Sequence, residues 1–547
     1  MPPRPCLRSL PLRIRDSNSI YTIPKDSRWL PATTQTSPFS TTSPNALPAP
    51  AKKKQSMEGP PKKGVRALRI KKKNFVASTA KPPAQGERKA LRKRIVLSNT
   101  NAFEVPNLLD LNRENMVDTS IAGRVLGLPG ELVDTLRAVE AFKVGQGWGY
   151  FRRPATLIRG EAVELGRLME EVEIGSRGGE SDKRTEFSGV GDHTGKTVRR
   201  LVHGERGVGK SVLLLQVMAM AFTRGWIVVN FPEARDLTIG HTDYAPIPNT
   251  TPTQYTQKIY TSTLLSQIIK ANSSTLSKLQ ITLDHTSTIP IPIQSNISLD
   301  RFADLGAKNP DISWPIFQGL WRELMVPNLG RPPVFLGLDN ISHILGESHY
   351  TTLNKKGKLQ RIHAHDFVLV RHFVEFISGR EEMGNGGLVM AATSMSDHAK
   401  STALDVCITI AEARQISRST TTTDNNPATL PITTVRGYLT NPSNPSMHTP
   451  IPTAESHPRD IAAYKLAQFY SPYKSVDERS VDALKDVETI KLEGLSKADA
   501  GRLMEYWARS GMVPKVVGEG FVGEKWSLSG GGVVGELERG VVRAGRL

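Results

Sequence analysis

The residues Gly204-Glu-Arg-Gly-Val-Gly-Lys-Ser211 constrain this chain more than any other stretch of it. They fit the spacing G-x-x-x-x-G-K-[ST] without a mismatch, and that spacing has a physical purpose. Glycines let a backbone turn tightly enough for successive amide N–H groups to converge on one anion. The loop runs into an apolar segment, Val212–Thr223, that reads as a buried helix with Gly225 as its stop, and a helix N-terminus favours negative charge. A strand is expected just upstream, at Arg199–His203. In that setting Gly204, Gly207, Val208, Gly209, Lys210, Ser211 and Val212 form a candidate phosphate cradle. Lys210 would reach the β and γ phosphates, and the Ser211 hydroxyl would coordinate Mg²⁺. Gly195-Lys196-Thr197 also ends in GKT, but its upstream glycine, Gly191, is one residue too close and strand-like sequence follows it. It is a decoy.

A phosphate loop needs a second half: an acid at the end of an adjacent strand that holds Mg²⁺ directly or through water. Asp339 follows the apolar run Val334–Leu338 and is the candidate metal residue beside Ser211. Trp226–Phe231 and Gly387–Ala392 read as further buried strands, and Phe367–Ile377 as the helix before the last of them. Short continuous apolar strands separated by helices predict a parallel sheet covered on both faces, an α/β fold. The residue after Asp339 is Asn340, which cannot act as a base. No catalytic residue is assigned, and slow hydrolysis or none is expected; Glu347 or a partner's residue could substitute, but nothing in the sequence singles one out. Thr393 and Ser394 follow the last strand, where a hydroxyl can sense a γ-phosphate or simply cap a loop. The nearest approach to the guanine-reading N-K-x-D is Asn354-Lys-Lys-Gly357, which lacks the acid and leaves ATP slightly favoured from residues alone. His363, His365 and His372 have no supporting cysteine and read as solvated or core histidines.

Charge divides the chain. Residues 1–100 hold 22 Lys and Arg against 4 Asp and Glu, so the whole net charge of +18 sits in one N-terminal arm. Arg4, Arg8, Arg13 and Arg15 are interleaved with Leu7, Leu10, Leu12 and Ile14 and no acid, the composition of a mitochondrial presequence. Pro2, Pro3, Pro5 and Pro11 oppose the amphipathic helix such signals form. Lysine and arginine clusters between 52 and 94 would neutralise phosphates without reading sequence. The arm is therefore an import signal, a nucleic-acid tail, or both. Two cysteines, Cys6 and Cys407, offer neither a disulfide framework nor a zinc spacing. The longest apolar stretch, Val212–Phe222, falls far short of the roughly 20 residues that span a bilayer.

Composition then sets the expected segments: a presequence and disordered basic arm over 1–100, and a helical lead-in over 101–197 that ends in a Gly-rich loop from Gly175. The nucleotide-binding part is expected over 198–414, with a Thr/Ser/Pro-rich excursion from the sheet near 240–300. A Thr/Asn/Pro-rich linker over 415–456 leads to a C-terminal helical unit over 457–547. Within the lead-in, Gly130–Phe142 has helical spacing; within the last unit, Ser496-x-x-Asp499 reads as a helix cap.

An ordered series of segments resembles the death-associated protein three family. It runs through Trp148–Arg159, His203–Ser211, Trp226–Ala234, Leu336–Asp339, Gly386–Ser394, Leu503–Trp507, Trp526–Ser529 and Glu536–Arg539. The resemblance covers roughly residues 105–547, with gaps at the two low-complexity stretches. It implies an AAA-like P-loop NTPase sheet sandwiched by helices, with a C-terminal helical lid or winged-helix-like unit. It further implies a guanine nucleotide, GTP or GDP, with Mg²⁺, despite the missing N-K-x-D. The family's place is the mitochondrial small ribosomal subunit, so rRNA, ribosomal proteins and large-subunit contacts are the implied partners and the matrix the implied compartment. The family tail carries Asn-Pro where this chain reads Gly530-Gly-Gly-Val-Val534, so a lid contact to nucleotide does not carry over. Against this reading of a nucleotide held for structure stand an energy-coupled AAA-type ATPase and a stand-alone RNA-binding factor.

Overall fold

The computed structural model describes residues 95, 97–176, 196–327, 329–354, 356–395, 399, 401–420, 476–513 and 516–544. The expected presequence, the basic arm up to residue 94, most of the Gly-rich loop and nearly all of the 415–456 linker lie outside the described residues.

Two helices precede the sheet: α1 (Gly130–Ala138) and α2 (Gly160–Ser176). Alternating strands and helices follow: β1 (Thr197–Gly204), α3 (Lys210–Thr223), β2 (Ile227–Phe231), α4 (Lys258–Leu276), α5 (Leu299–Lys308), α6 (Ser313–Met325), β3 (Val334–Asp339), α7 (Val368–Ile377), β4 (Gly387–Ala392) and α8 (Thr402–Thr420). The chain closes with α9 (Glu478–Leu484), β5 (Glu488–Leu492), α10 (Lys497–Arg509), α11 (Glu519–Leu528) and α12 (Val534–Glu538).

The five strands form one sheet in the order β5-β1-β4-β3-β2, and every pairing is parallel. Because side chains alternate across a strand, each strand feeds two cores. On β3, Val334, Leu336 and Leu338 face one core, and Phe335 faces the other. The Phe335 side is filled by α3 together with Leu132 and Leu136 of α1 and Leu165 and Met169 of α2. The opposite face is filled by α4 to α9. The expected α/β class with a helix-covered parallel sheet is therefore what the chain folds into. Helix α3, apolar on nearly every side, is buried between sheet and lead-in as its composition requires.

Several expectations shift. The stretch near 240–300 is not a bare excursion. It holds a short hairpin, Ala245–Ile247 with Gln254–Thr256, and the 19-residue α4. Tyr260, Leu264, Leu265 and Ile268 of α4 are buried against the sheet, which its Thr and Ser content concealed. Asn272 of α4 accepts from the Val228 N–H at 2.8 Å and donates to the Val228 carbonyl at 2.9 Å. A side-chain amide thus satisfies edge-strand groups of β2 that have no neighbouring strand. The C-terminal segment, expected to be helical, also supplies β5, the opposite edge of the sheet beside β1. The helix expected over 130–142 stops at Ala138, where Glu140 at φ +54° turns the chain.

Beyond the sheet, α10 begins as its cap predicts, with Ser496 Oγ accepting from the Asp499 N–H at 3.1 Å. Its Leu503, Met504, Tyr506 and Trp507 form a third core with Phe151 and Leu157 of the lead-in and Leu537, Val541 and Val542 of the tail. The lead-in and the C-terminal unit are thereby one packed body alongside the sheet.

Candidate functional site

The Gly204–Ser211 loop leaves β1 at Gly204 and enters α3 at Lys210. Two of its glycines are required by geometry. Gly204 sits at φ +144°, where a Cβ would lie 2.2 Å from the Leu492 carbonyl oxygen. Gly207 sits at φ +83°, with the Val533 side chain 3.2 Å from where a Cβ would be. Gly209, also in the left-handed region, is the N-cap of α3. The structure places the seven residues read as the cradle at the β1–α3 junction. Gly207, Val208, Gly209, Lys210, Ser211 and Val212 line a cavity of about 550 Å³; Gly204, the last residue of β1, does not line it.

Lys210 is buried and folds back over its own loop. Its Nζ donates to the Gly204 carbonyl at 2.8 Å and the Glu205 carbonyl at 2.6 Å. Burial pushes its pKa down to about 8, opposed by the negative charges of Asp339 and Glu205. Arg159 braces the loop from outside, donating to the Val208 carbonyl at 3.1 Å and the Glu493 carbonyl at 2.8 Å.

Asp339 is the last residue of β3 and faces the same cavity. Its Oδ2 lies 2.9 Å from Lys143 Nζ. Its Oδ1 is buried without a hydrogen-bond partner among the described residues. Lys143 comes from the lead-in, and sequence reading did not single it out. Its Nζ also donates to the Pro232 carbonyl and lies 3.6 Å from Glu233 Oε2. Asn340, at φ +66°, donates through Nδ2 to Glu233 Oε1 at 2.8 Å. The ends of β2 and β3 therefore present two carboxylates, Glu233 and Asp339, linked by one lysine and one amide. Glu347 is exposed at the start of a β-hairpin strand and does not line the cavity. Thr393 and Ser394 do line it, and the Thr393 N–H donates to the Val202 carbonyl at 2.9 Å.

A buried, unpartnered carboxylate oxygen at the mouth of a phosphate loop, with the Ser211 hydroxyl on the same cavity wall, is a donor set that suits a hard divalent cation. The site fits Mg²⁺ on that ground, with Asp339 Oδ2 already engaged by Lys143.

The far end of the cavity is built by the lead-in and the C-terminal unit. Trp148, Phe151, Leu157, Leu503, Tyr506 and Trp507 give it apolar walls. Glu538 closes it, held by Arg543 at 2.8 Å, and the Arg543 guanidinium also sits 5.6 Å from the Tyr150 ring centroid. The C-terminal unit meets the loop directly through its Gly530–Val534 turn, which is a contact to the protein loop and not the contact to nucleotide that the family resemblance concerns. Gly530, Gly531 and Gly532 all have positive φ, and the turn they make delivers the Gly535 N–H to the Gly207 carbonyl at 2.9 Å.

Of the three histidines, His363 and His365 lie together, with ring centroids 4.7 Å apart, and His372 lies elsewhere. His363 Nε2 lies 2.9 Å from Asp477 Oδ2, and His363 Nδ1 accepts from the His365 N–H. His372 is packed edge-on against Trp321 and Phe317. Among the described residues no helix is long and apolar enough to cross a membrane.

Residues 184–540 match the family model of mitochondrial ribosomal death-associated protein 3. The chain is also similar to the small ribosomal subunit protein mS29 of Neurospora crassa. The two are 38% identical over 477 residues, which cover 87% of this chain and 86% of that protein.

Proposed function

The chain belongs to the mitochondrial ribosomal death-associated protein 3 family, and from that premise we propose that it is a structural component of the mitochondrial small ribosomal subunit that holds a guanine nucleotide in the Gly204–Ser211 loop. The observation that carries the nucleotide reading is the cradle itself: a left-handed glycine turn between a parallel strand and a helix N-terminus, with Lys210 buried inside it. The strand order supports an AAA-like P-loop NTPase, because β4 lies between the loop-bearing β1 and the acid-bearing β3.

Lys210 would leave the Gly204 and Glu205 carbonyls for the β and γ phosphates, and backbone N–H groups from Gly207 to Val212 would surround the β-phosphate. Ser211 and the open oxygen of Asp339 would hold Mg²⁺, which neutralises charge on a triphosphate. The base would lie against the apolar walls supplied by the lead-in and α10. GTP or GDP is the proposed ligand on family grounds, with ATP compatible with the same walls.

The reading is of a holding site with slow hydrolysis at most, because Asn340 stands where a water-activating carboxylate would follow Asp339. The partners are small-subunit rRNA and neighbouring ribosomal proteins, with contacts to the large subunit, in the mitochondrial matrix. The energy-coupled ATPase of the AAA type remains a distinct outcome of the following test. Mitochondrial lysate is sedimented after a moderate salt wash, and the small-subunit fraction is extracted for nucleotide. Co-migration of the chain with the small subunit, carrying GDP or GTP that a Lys210→Ala chain lacks, is expected. A free ATP-loaded hexamer, or loss from the particle at modest salt, overturns the proposal.

A further inference from the structure

Two carboxylates at the ends of neighbouring parallel strands repel each other and anything anionic, so the Glu233–Asp339 pair needs a positive partner before a diphosphate can sit beside it. In this chain that partner is covalently built in. Lys143 Nζ lies 2.9 Å from Asp339 Oδ2 and 3.6 Å from Glu233 Oε2, with a further hydrogen bond to the Pro232 carbonyl. The three oxygens come from three residues and converge on one ammonium. Asp339 is 5% exposed and Lys143 20% exposed at the side chain, so the pair is little screened by water. The Lys143 backbone is itself fixed, since its N–H donates to Gln146 Oε1 at 3.1 Å. Asn340 holds the other Glu233 oxygen at 2.8 Å, so Glu233 cannot swing away.

We propose that Lys143 is the resident counter-cation of the nucleotide site and lets the chain retain a nucleoside diphosphate without a divalent metal. The proposal rests on the nucleotide reading above and adds a residue outside the phosphate loop. Lys143 and Lys210 line the same cavity and place two ammonium groups on it. Counted together, the two ammonium groups match the two carboxylates, so a diphosphate meets no net negative charge from these four side chains. A metal ion brought by a triphosphate still has the open Asp339 Oδ1 and the Ser211 hydroxyl, so metal is an addition to the site and not a condition for diphosphate binding.

The test is equilibrium binding of GDP to the full chain, with Mg²⁺ or with a chelator, alongside melting of the nucleotide-free chain with and without Mg²⁺. The wild-type affinity is expected to change by less than about threefold on chelation. Lys143→Ala should bind at least about tenfold more weakly in chelator and recover with Mg²⁺. Without nucleotide, Mg²⁺ should raise the melting temperature of Lys143→Ala and leave the wild type unmoved, because only the variant has uncompensated acids. Lys143→Arg, which keeps the charge, should behave as wild type and so separates loss of charge from misfolding. A wild type that loses GDP at least about tenfold on chelation overturns the proposal, as does a Lys143→Ala chain indistinguishable from wild type in both measurements. If the wild type binds no nucleotide at all, the nucleotide reading fails, and the Mg²⁺ melting comparison still decides whether Lys143 neutralises the acid pair.

Discussion

The Gly535 N–H donates to the Gly207 carbonyl at 2.9 Å, and this bond joins the C-terminal unit to the middle of the Gly204–Ser211 loop. Around it, Val533 packs on Gly207, and Leu495 donates through its N–H to the Gly532 carbonyl at 2.8 Å. The loop is therefore gripped on one side by α3 and on the other by a turn more than 300 residues later in the chain.

That grip makes Gly207 intolerant of a side chain. Gly207→Ala adds a Cβ at φ +83° and 3.2 Å from Val533 Cγ1. A non-glycine residue in such a conformation costs about 1–3 kcal/mol. Chemical denaturation should show a loss of that size, and GDP titration should show weakened binding. An unchanged midpoint with full binding would mean the loop does not need the left-handed turn.

Lys210 predicts opposite pH trends for stability and for binding. Burial lowers its pKa from 10.5 to about 8. Between those two values the unfolded chain holds a proton that the folded chain has released, so this group makes the nucleotide-free fold more stable as pH rises through that window. Phosphate binding uses the charged ammonium, so affinity for GDP should fall over the same rise. Melting temperature and dissociation constant measured from about pH 8 to 10 check both slopes. Parallel movement of the two would contradict the assignment of Lys210 to the phosphates.

Glu323 predicts a site of large structural cost far from the cavity. Fully buried, it accepts from the Thr282 N–H at 2.9 Å, the Thr282 hydroxyl at 2.7 Å, the Leu283 N–H at 2.7 Å, His285 at 3.0 Å and Arg331 at 3.0 Å. Burial alone would raise its pKa, but the donors from Thr282, Leu283 and His285 outweigh it and hold the carboxyl below its usual value. A depressed carboxylate stabilises the fold above its unfolded pKa, and that contribution is lost as pH falls through the folded value. Glu323→Gln leaves Arg331 buried without its counter-charge, and the expected loss is about 3–5 kcal/mol in urea denaturation. Hydrogen exchange should locate the loosening in residues 277–298. A loss below about 1 kcal/mol would show the network to be dispensable.

Cys407 predicts a thiol that reports unfolding. It is 3% exposed, and burial pushes its pKa up to about 12. Reaction follows the thiolate and its access, so a Cys6→Ser chain should resist alkylation at neutral pH and label fully in denaturant. Rapid labelling of the folded chain would show that α8 detaches from α9.

The residues that were legible in the sequence share a local signal. Val334–Leu338 and Gly387–Ala392 are apolar at every position because both faces of a central parallel strand are covered. The loop glycines were legible because their spacing is itself the geometry. Strand β5 was not, since Glu488-Thr-Ile-Lys-Leu492 alternates as a half-exposed edge and carries no apolar run. Helix α4 was obscured in the same way, its buried Leu264, Leu265 and Ile268 diluted by Thr and Ser on the other face. Lys143 and Arg159 act through contacts to residues 49 to 334 positions away, which no local pattern encodes. Glu233 was visible only as part of a family-like segment, and its meeting with Asn340 depends on β2 lying beside β3.

The position of β5 has a consequence for the order in which the chain can mature. The strand that carries the phosphate loop ends at Gly204, yet its outer neighbour begins at Glu488 and the turn that clasps the loop arrives only at Gly535. A polypeptide delivered from its N-terminus presents β1 with both flanks unpaired until β4 begins at Gly387 and with its outer flank bare until Glu488, and long-range parallel pairing is slow to form. The loop cannot reach its final shape on a partial chain. The finished loop is thus a mark of completion, acquired only once the last segments have reached it.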